Sequence, residues 1–306
     1  MQQDDATRPP SRTAYHIGPA RFEAARPEPA LYIVSTPIGN LGDVTVRALE
    51  TLAGADLIAC EDTRVTRVLL DRYGIRTRMT AYHEHNAAAE RPRLLALLAE
   101  GRSVALVSDA GTPLLSDPGY KLVEAAIGEG RKVIPIPGAS ALLAAMVASG
   151  LPSDTILFAG FLPSRTEARR RRIEELAPVK ATLVFYESPH RLAETLVELA
   201  AVLGPSRPGA VGRELTKAFE EVVRGDLATL STRWTERDPR GEIVIVVGPP
   251  ADEEASAADI DGMLTAALGR LPPGKAAAEV ARLLGADRKA LYERALQLKS
   301  TADAEE

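Results

Sequence analysis

Three short loops rich in glycine, proline and small polar residues are the part of this sequence best suited to bind a ligand. Residues 35–41 are Ser-Thr-Pro-Ile-Gly-Asn-Leu, residues 107–113 are Val-Ser-Asp-Ala-Gly-Thr-Pro, and residues 135–140 are Pro-Ile-Pro-Gly-Ala-Ser. Proline and glycine keep a helix from starting early and let the backbone approach a ligand closely. The loops lack the GxGxxG pattern of dinucleotide sites and the GxxxxGKS/T pattern of P-loops. The residues alone therefore indicate a polar, nucleoside-like small molecule.

The loops follow short apolar runs that we expect to be buried strands. These runs, at residues 31–34, 57–60, 104–107 and 133–136, alternate with stretches of helical periodicity at residues 43–52, 63–73, 90–100 and 117–127. Such alternation predicts a parallel α/β sheet with helices on both faces. Asp43, Thr63 and Asp117 are the expected helix N-caps. Because ligands bind at the carboxyl ends of parallel strands, the three loops should share one site.

The chain is expected to comprise two α/β domains and a small helical module. Residues 1–29, rich in Gln, Asp, Arg and Pro, are expected to be a disordered tail, and residues 30–150 to form the first domain. Residues 151–250 form the second, with strands predicted at residues 156–159, 182–186, 210–212, 221–224 and 242–247 and helices at residues 166–176 and 189–203. An acidic linker, residues 251–258, leads to a helix-turn-helix-like module at residues 259–299.

The composition excludes several classes of protein. The chain of 306 residues is 45% hydrophobic, and no apolar run approaches the roughly 18 to 20 residues that span a bilayer. The net charge of −5 is not that of a protein relying on non-specific affinity for nucleic acid. The single cysteine, Cys60, excludes an intrachain disulfide and a cysteine-based zinc site. We therefore expect a cytoplasmic protein.

A series of motifs in both halves resembles a known enzyme family. The motifs are residues 31–41, 61–64 (Glu-Asp-Thr-Arg), 107–113, 116–119, 137–140, 160–163, 185–191 (Phe-Tyr-Glu-Ser-Pro-His-Arg) and 213–217 (Arg-Glu-Leu-Thr-Lys). In this order they resemble the tetrapyrrole (class III) methylase superfamily, and within it the enzymes that methylate ribosomal RNA of the small subunit. The resemblance covers residues 30–299.

The resemblance implies a homodimeric enzyme of two α/β domains, with S-adenosylmethionine bound in the cleft between the domains. It implies 2′-O-methylation of a cytidine ribose in the decoding region of 16S rRNA, so the partner is that RNA or the small ribosomal subunit. The cofactor contacts that it implies are Ile38, Gly39, Asp109, Ala110, Gly111, Thr112, Pro113, Leu115, Ser140, Ala141, Tyr186 and Leu215.

The reaction calls for a base or an electrostatic stabiliser, because a ribose hydroxyl is a poor nucleophile. We predict Glu61, Asp117 and Lys217 in this role, with Asp62 and Glu187 as further candidates. Glu61 and Asp117 follow predicted strands, where the cleft should lie. Asp62 and Asp117 could equally be helix caps or ion-pair partners, since capping is the usual role of Asp at such positions.

Several polar side chains are candidates for contact with RNA. Arg64 and Arg191 could hold a phosphate, and His83, His85 and Asn86 could contact a ribose or a base. Two histidines without a third ligand make a metal site a weak alternative, and an ordinary surface loop another. Arg169, Arg170 and Arg171 belong to a run near a predicted helix N-terminus. Positive charge there opposes the helix dipole unless anions are close, so phosphate binding is favoured over a merely solvated face.

The C-terminal module and the choice of substrate remain open. Its basic residues could contact phosphates, but a short-turn pair of helices is also common in packing alone. Those residues are Lys275, Arg282, Arg288, Lys289, Arg294 and Lys299. Methylation of a tetrapyrrole is one rival function. A DNA-binding regulator with a metabolite-sensing α/β part is another. The arginine run argues against the first, and the overall acidity argues against the second.

Overall fold

The computed structural model describes residues 13–116, 119–237, 239–251, 257–284 and 286–305. The described residues up to Pro249 form one compact unit, and those from Pro250 onward form another. No helix within these residues is long and apolar enough to cross a membrane.

A β-hairpin occupies part of the segment predicted to be a disordered tail. Strand β1 (Ala14–Ile17) pairs antiparallel with β2 (Ala20–Glu23). Tyr15 is buried and its ring stacks on Phe22 at a centroid distance of 5.4 Å. The His16 N–H donates to the Tyr73 carbonyl at 2.8 Å, which fastens the hairpin to the body. The predicted tail is therefore wrong for residues 14–23, because packing on the body stabilises a strand pair that composition does not reveal. Residues 1–12 lie outside the described residues.

The first half contains a parallel sheet, as the alternating pattern predicts. In chain order its strands are β3 (Leu31–Val34), β4 (Leu57–Cys60), β5 (Met79–Ala81), β6 (Val104–Val107) and β7 (Val133–Ile136). They are arranged β5-β4-β6-β3-β7 and pair in parallel. We call this the N-terminal sheet. Strand β5 was not predicted from the sequence because its three residues are too short for a periodic signal.

Helices cover both faces of the N-terminal sheet. On one face, Val34 and Ile58 pack with Leu49 of α1 (Val46–Gly54) and Leu70 of α2 (Thr63–Arg72). The opposite face packs against α3 (Ala87–Ala99) and α4 (Tyr120–Gly128) through alternate strand residues. Full burial of one such aliphatic side chain contributes about 1.5–3 kcal/mol. Two-sided burial explains why these strands are almost continuously apolar.

Two predicted helix caps are wrong by a few residues. Helix α1 is capped by Thr45, whose hydroxyl accepts from the Ala48 N–H at 3.1 Å, while Asp43 ends a 3₁₀ turn (Leu41–Asp43). Helix α2 is capped by Asp62 rather than Thr63. The predicted cap Asp117 lies outside the described residues.

The second half contains a mixed sheet. Its strands are β8 (Ile156–Phe161), β9 (Thr182–Glu187), β10 (Pro208–Arg213), β11 (Glu221–Asp226) and β12 (Ile243–Val247). They are arranged β11-β10-β12-β9-β8, with β8 and β9 parallel and the other pairs antiparallel. We call this the C-terminal sheet. Its outer face is covered by helices that contribute Ile173, Leu196 and Trp234 to a second core. These are α6 (Thr166–Leu176), α7 (Leu192–Leu203) and α8 (Leu227–Thr235).

Helix α5 (Ala141–Ser149) packs against the C-terminal sheet, although the sequence assigned it to the first domain. Ala145 and Met146 are buried against Val184 and Val246 of the C-terminal sheet. The boundary predicted at residue 150 therefore lies too late in the chain. The loop before α5 already passes from one half to the other.

The second compact unit is a helical module with its own core. Its helices are α9 (Ala257–Leu268), α10 (Pro273–Leu284) and α11 (Arg288–Glu305). Leu264, Val280 and Leu291 are buried together. The helical character predicted for residues 259–299 is confirmed, and the last helix extends beyond the predicted end.

Candidate functional site

The loops after β3 and β6 are joined by a pair of backbone hydrogen bonds. The Thr36 N–H donates to the Gly111 carbonyl at 2.8 Å, and the Gly111 N–H donates back to the Thr36 carbonyl at 3.1 Å. Gly111 has a φ of +79°, in the left-handed region that glycine adopts without strain. A Cβ at this position would lie 3.2 Å from Cγ2 of Ile38. The two loops thus form one floor at the carboxyl end of the N-terminal sheet.

The loop after β7 packs against the same floor. The hydroxyls of Ser35 and Thr112 share a hydrogen bond of 3.0 Å, and Thr112 also donates to the Ala139 carbonyl at 3.3 Å. Gly138 approaches Ser35 so closely that a Cβ on the glycine would lie 2.9 Å from that of the serine. The three loops meet at one edge of the sheet, as their positions after parallel strands predict.

A cavity of about 360 Å³, which we call the first cavity, lies between these loops and the C-terminal sheet. Its size is within the range of small-molecule sites. It brings together residues from both halves that were predicted to contact the cofactor. They are Ile38, Ala110, Gly111, Thr112, Leu115, Ala141, Tyr186 and Leu215.

The other predicted cofactor contacts lie outside the first cavity. Gly39 and Asp109 line a neighbouring cavity. Pro113 is buried within the loop, and Ser140 occupies the N-cap position of α5 without a capping hydrogen bond.

Strained backbone surrounds two leucines that line the first cavity. Leu115 and Leu215 are each preceded and followed by a non-glycine residue in the left-handed region. The four flanking residues are Leu114 (φ +78°), Ser116 (+69°), Glu214 (+51°) and Thr216 (+67°). Such conformations cost of order 1–3 kcal/mol each and cluster at ligand sites. The strain therefore supports a binding role for the two loops.

The neighbouring cavity, which we call the second cavity, has a volume of about 290 Å³. It shares Ile38, Ala110 and Glu242 with the first cavity. Its other lining residues are Thr36, Pro37, Gly39, Leu41, Val65, Thr66, Val68, Leu69, Ser108, Asp109 and Lys217. The two cavities are thus adjacent compartments of one cleft.

Acidic groups at the end of β4 and β6 contact one another at the second cavity. The Asp109 carboxylate accepts a hydrogen bond of 2.9 Å from the Asp62 N–H. Burial raises the pKa of Asp109, and the charge of Asp62 adds to this effect, while the hydrogen bond from the Asp62 N–H opposes it. Asp62 itself pairs with the side chain and the N–H of Arg64, which lowers its pKa to about 2. Asp62 is therefore a cap and an ion-pair partner, and Arg64 is held by it.

Lys217 links the C-terminal half to the loop after β3. Its Nζ donates to Glu214 at 2.8 Å and to Glu242 at 3.2 Å, and its aliphatic stem packs on Gly39. Burial would lower the pKa of Lys217, but the bond to Glu214 and the charge of Glu242 outweigh it, so the pKa is raised. Lys217 therefore stays a cation. It fits the predicted role of electrostatic stabiliser and not that of base.

The two carboxylates predicted to be catalytic, Glu61 and Asp117, are not found in either cavity among the described residues. Glu61 is half-buried after β4 and is not among the residues that line either cavity. Asp117 lies outside the described residues. Both assignments remain predictions.

The segment at residues 83–86 is a turn that is held by its own side chains. Asn86 accepts from the His83 N–H at 2.8 Å and donates to the Ala81 carbonyl at 3.0 Å, so its amide shapes the turn. The prediction that Asn86 binds substrate is not supported by these contacts. The rings of His83 and His85 meet edge-on at 6.0 Å, and their contact with RNA remains a prediction. Among the described residues, no three His, Cys, Asp or Glu side chains gather as a metal site would require.

The prediction that Arg169 binds RNA is wrong. Its side chain is fully buried between α6 and α7 and forms ion pairs with Glu194 and Glu198. Two hydrogen bonds of 2.6 and 3.0 Å join it to Glu198 in a fork. The sequence could not reveal this, because the acidic partners lie on the next helix. Arg170 and Arg171 are exposed and form surface pairs with Glu174 and Glu175.

Arg191 also has a structural role. Its Nη2 donates to the Leu162 and Pro163 carbonyls at 2.9 and 3.1 Å, which holds the loop after β8. Glu187 lines the first cavity but is 3% exposed, and its carboxylate accepts from the Ser188 N–H and the Thr195 hydroxyl. These contacts argue against Arg191 as a phosphate ligand and against Glu187 as a base.

Several lining residues were not predicted from the sequence. Phe161 ends β8 and meets Tyr186 edge-on at 5.7 Å in the wall of the first cavity. Residues 241–244 line the same cavity at the start of β12. Val65 and Val68 line the second cavity. The sequence predicts a helix over residues 63–73. The exposed valines of this helix do not by themselves indicate a cavity, because the loops that form its other walls are distant in sequence.

Comparisons with known proteins identify the family of this chain. The family model of Tetrapyrrole (Corrin/Porphyrin) Methylases matches residues 30–231, and that of the RsmI C-terminal HTH domain matches residues 254–299. Ribosomal RNA small subunit methyltransferase I of Mesorhizobium japonicum is 57% identical over 287 residues, which cover 94% of this chain and 98% of the relative. The chain belongs to the tetrapyrrole methylase family.

Other relatives carry the same name. The methyltransferase I of Escherichia coli O157:H7 is 46% identical over 87% of this chain and 94% of its own length. Solved structures show the fold. This methylase resembles cobalt precorrin-4 methyltransferase with a TM-score of 0.56 and 20% identity, covering 71% of this chain and 94% of that one. It resembles uroporphyrin-III C-methyltransferase of Thermus thermophilus in complex with S-adenosyl homocysteine with a TM-score of 0.50 and 20% identity, covering 71% and 96%.

Proposed function

We propose that this methylase transfers a methyl group from S-adenosylmethionine to the 2′-hydroxyl of a cytidine ribose in the decoding region of 16S rRNA. The observation that carries the proposal is the first cavity, which collects the residues predicted to bind the cofactor from both halves of the chain. The name of the Mesorhizobium japonicum relative, which is 57% identical, supports ribosomal RNA as the acceptor.

The residues of the first cavity suit S-adenosylmethionine. The rings of Tyr186 and Phe161 and the side chains of Leu215 and Ile243 offer an apolar wall for an adenine. The Thr112 hydroxyl and the backbone of the loop after β6 offer polar partners for the ribose and the amino-acid end. When bound, the cofactor supplies a methyl group on a positively charged sulfur. The chain's own part is to hold the reactants in line and exclude water, because positioning supplies much of the acceleration.

Charged side chains around the body provide contacts for RNA. Arg64, Arg170 and Arg171 are exposed, and each is paired only at the surface, where an ion pair contributes at most about 1 kcal/mol. A phosphate can therefore replace such a partner at little cost. A ribosomal substrate would place the protein in the cytoplasm. The homodimer implied by the family resemblance is retained as part of this proposal.

The similarity to tetrapyrrole methylases does not favour a tetrapyrrole substrate. Those structures are about 20% identical and support the fold alone. A DNA-binding regulator is disfavoured by the cleft, which extends between the two halves of the α/β unit.

The test is methyl transfer followed by nucleoside mapping. The protein is incubated with radiolabelled S-adenosylmethionine and small ribosomal subunits from a strain that lacks the enzyme, and the rRNA is digested to nucleosides. We expect the label in 2′-O-methylcytidine. Label on a base would contradict the proposal, as would no transfer by a protein that binds the cofactor.

A further inference from the structure

We propose that the second cavity receives the acceptor nucleoside and that the Asp109 carboxylate takes the proton of its 2′-hydroxyl. The inference rests on the proposed function and names the acceptor side of the cleft. It differs from the family-based prediction, which makes Asp109 a contact of the cofactor.

The position of the second cavity is the first reason. It adjoins the first cavity across Ile38 and Ala110, and Glu242 reaches both. With the cofactor in the first cavity, an acceptor in the second would meet it across this shared border. Methyl transfer requires the reacting atoms to lie about 3–3.5 Å apart and in line, so the acceptor site must be an immediate neighbour of the cofactor site.

The walls of the second cavity suit a nucleoside turned out of its helix. Val65 and Val68 of α2 are 43% and 60% exposed and, with Leu41 and Leu69, form an apolar surface against which a base can lie. An enzyme acting on a nucleotide commonly holds it in a pocket of this kind, between apolar side chains and hydrogen-bonding groups.

A buried hydroxyl in the second cavity has only a weak partner. Thr66 is 4% exposed, its hydroxyl makes no hydrogen bond to an oxygen or nitrogen within the described structure, and its neighbour is the Cys60 thiol, a weak partner. Buried hydroxyls are normally hydrogen-bonded, and exceptions call for an explanation. A ribose or base edge bound in the cavity would satisfy this hydroxyl.

Helix α2 also offers charges for the flanking phosphates. Arg64 and Arg67 are exposed and lie three residues apart, so they share one side of the helix, as do Val65 and Val68. A phosphate backbone passing over α2 would meet the arginines while the nucleoside between two phosphates enters the cavity. The two arginines give α2 a local positive charge that complements the phosphates of RNA. The chain as a whole has a net charge of −5, so such local patches are needed for RNA to bind.

Asp109 is the carboxylate best placed to accept the proton. It lines the second cavity, and its Oδ1 accepts a hydrogen bond of 2.9 Å from the Asp62 N–H, which fixes the orientation of the carboxylate. Its raised pKa, caused first by burial, makes it a stronger base than an exposed carboxylate. Asp62 is a weak base, because it caps α2 and its pKa is lowered to about 2, and Lys217 remains protonated.

Methyl transfer with Asp109 as the proton acceptor needs no further reactant. Asp109 takes the proton from the 2′-hydroxyl as the oxygen bonds to the methyl carbon. The bond from that carbon to the sulfonium breaks, and its electron pair stays on sulfur. The products are a methyl ether, a neutral thioether and a protonated Asp109, which returns its proton to solvent.

The first experiment replaces the carboxylate with its isostere, Asp109→Asn. We expect the affinity for S-adenosylhomocysteine, measured by calorimetry, and the affinity for small subunits to change less than about threefold. Single-turnover methyl transfer should fall at least about 100-fold, as loss of a general base predicts. Weaker binding of S-adenosylhomocysteine would return Asp109 to the cofactor site, and an unchanged rate would exclude it as the proton acceptor.

The second experiment fills the cavity with Val68→Trp, and Val197→Trp on α7 is the matched control because Val197 is 51% exposed and lines neither cavity. We expect Val68→Trp to weaken small-subunit binding at least tenfold without changing the affinity for S-adenosylhomocysteine, and the control to change neither. Equal behaviour of the two variants would overturn the pocket assignment. Wild-type protein that methylates no ribose would instead overturn the proposed function, so the two failures are distinct.

Discussion

At the scale of single residues, the contact between Gly39 and Lys217 joins the loop after β3 to the C-terminal half. Gly39 has a φ of +146°, and the Lys217 stem occupies the space where a side chain would stand. Glu214 and Glu242 hold the other end of Lys217. The loop on one sheet is thereby positioned by an ion-pair cluster on the other.

We expect Gly39→Ala to weaken binding of S-adenosylhomocysteine at least tenfold, because the new methyl displaces Lys217 and strains the loop. The matched control is Gly130→Ala, where φ is +70° and no atom lies within 4 Å of the new Cβ. The control should lose about 1–2 kcal/mol of unfolding free energy from backbone strain and keep its affinity. Calorimetric titration of both variants checks this, and equal affinities would show that the contact is unimportant.

Glu214 gives the same cluster a pH dependence. The hydrogen bond from Lys217 lowers the pKa of Glu214 in the folded protein below its ordinary value of 4.5. The ionised carboxylate therefore stabilises the fold above that ordinary value, and the contribution is lost as the pH falls through the lowered folded-state pKa. We expect Glu214→Gln to lower the free energy of unfolding at pH 7, and the difference from wild type to shrink as the pH falls below about 4.5. Urea denaturation from pH 7 to pH 3 measures it, and a difference that does not vary with pH would contradict the assignment.

About half of the residues that line the first cavity could be predicted from the sequence, because long ordered motifs carry them. The ion pairs could not. Arg169 belongs to a run whose position at a helix N-terminus indicated phosphate binding, and only the packing of α6 on α7 shows its two acidic partners. The sequence predicts Asp109 as a contact of the cofactor, whereas the structure places it in the second cavity with Val68 and in contact with the Asp62 N–H.

At the scale of elements, Arg169 fastens α6 to α7. Its replacement leaves Glu198, which is mostly buried, without its cation. Breaking a buried pair by removing one partner typically costs about 3–5 kcal/mol. We expect Arg169→Gln to lower the free energy of unfolding by about 3 kcal/mol, whereas Arg171→Gln, 82% exposed, should change it by less than about 0.5 kcal/mol. Denaturant unfolding at pH 7 checks both, and similar values would mean that the buried pair contributes no more than a surface pair.

The elements were predicted best where burial is two-sided and the strands alternate with helices. The N-terminal sheet follows this rule. In the C-terminal half, helix α8 is amphipathic but was not predicted, because it follows β11 directly, with no turn residues between them. Helix α5 is apolar on nearly every side, so its periodicity could not show which sheet it covers.

At the scale of the whole molecule, the α/β unit contains both cavities, and the helical module is a separate compact unit. The module exposes a set of cations, whereas Arg294 pairs with Asp261 within it at 2.6 Å. Other exposed cations of the module include Lys275, Arg282, Arg288, Lys289 and Lys299. The sequence left RNA contact and packing equally open for this module.

We expect removal of the residues after Pro249 to leave the affinity for S-adenosylhomocysteine within about twofold and to weaken small-subunit binding at least tenfold. The lining residues of both cavities precede the cut, while the exposed cations follow it. Calorimetry and equilibrium subunit binding measure the two effects. Loss of cofactor affinity would favour the packing role, and unchanged subunit binding would remove the module from RNA recognition.

The central claim is that the first cavity holds the cofactor beside the acceptor compartment, and a crystal structure with S-adenosylhomocysteine tests it most directly. We expect the adenine against Leu215 and Ile243 in the first cavity, with the sulfur facing the border at Ile38 and Ala110. A ligand bound in the second cavity, or with its sulfur facing away from that border, would contradict it.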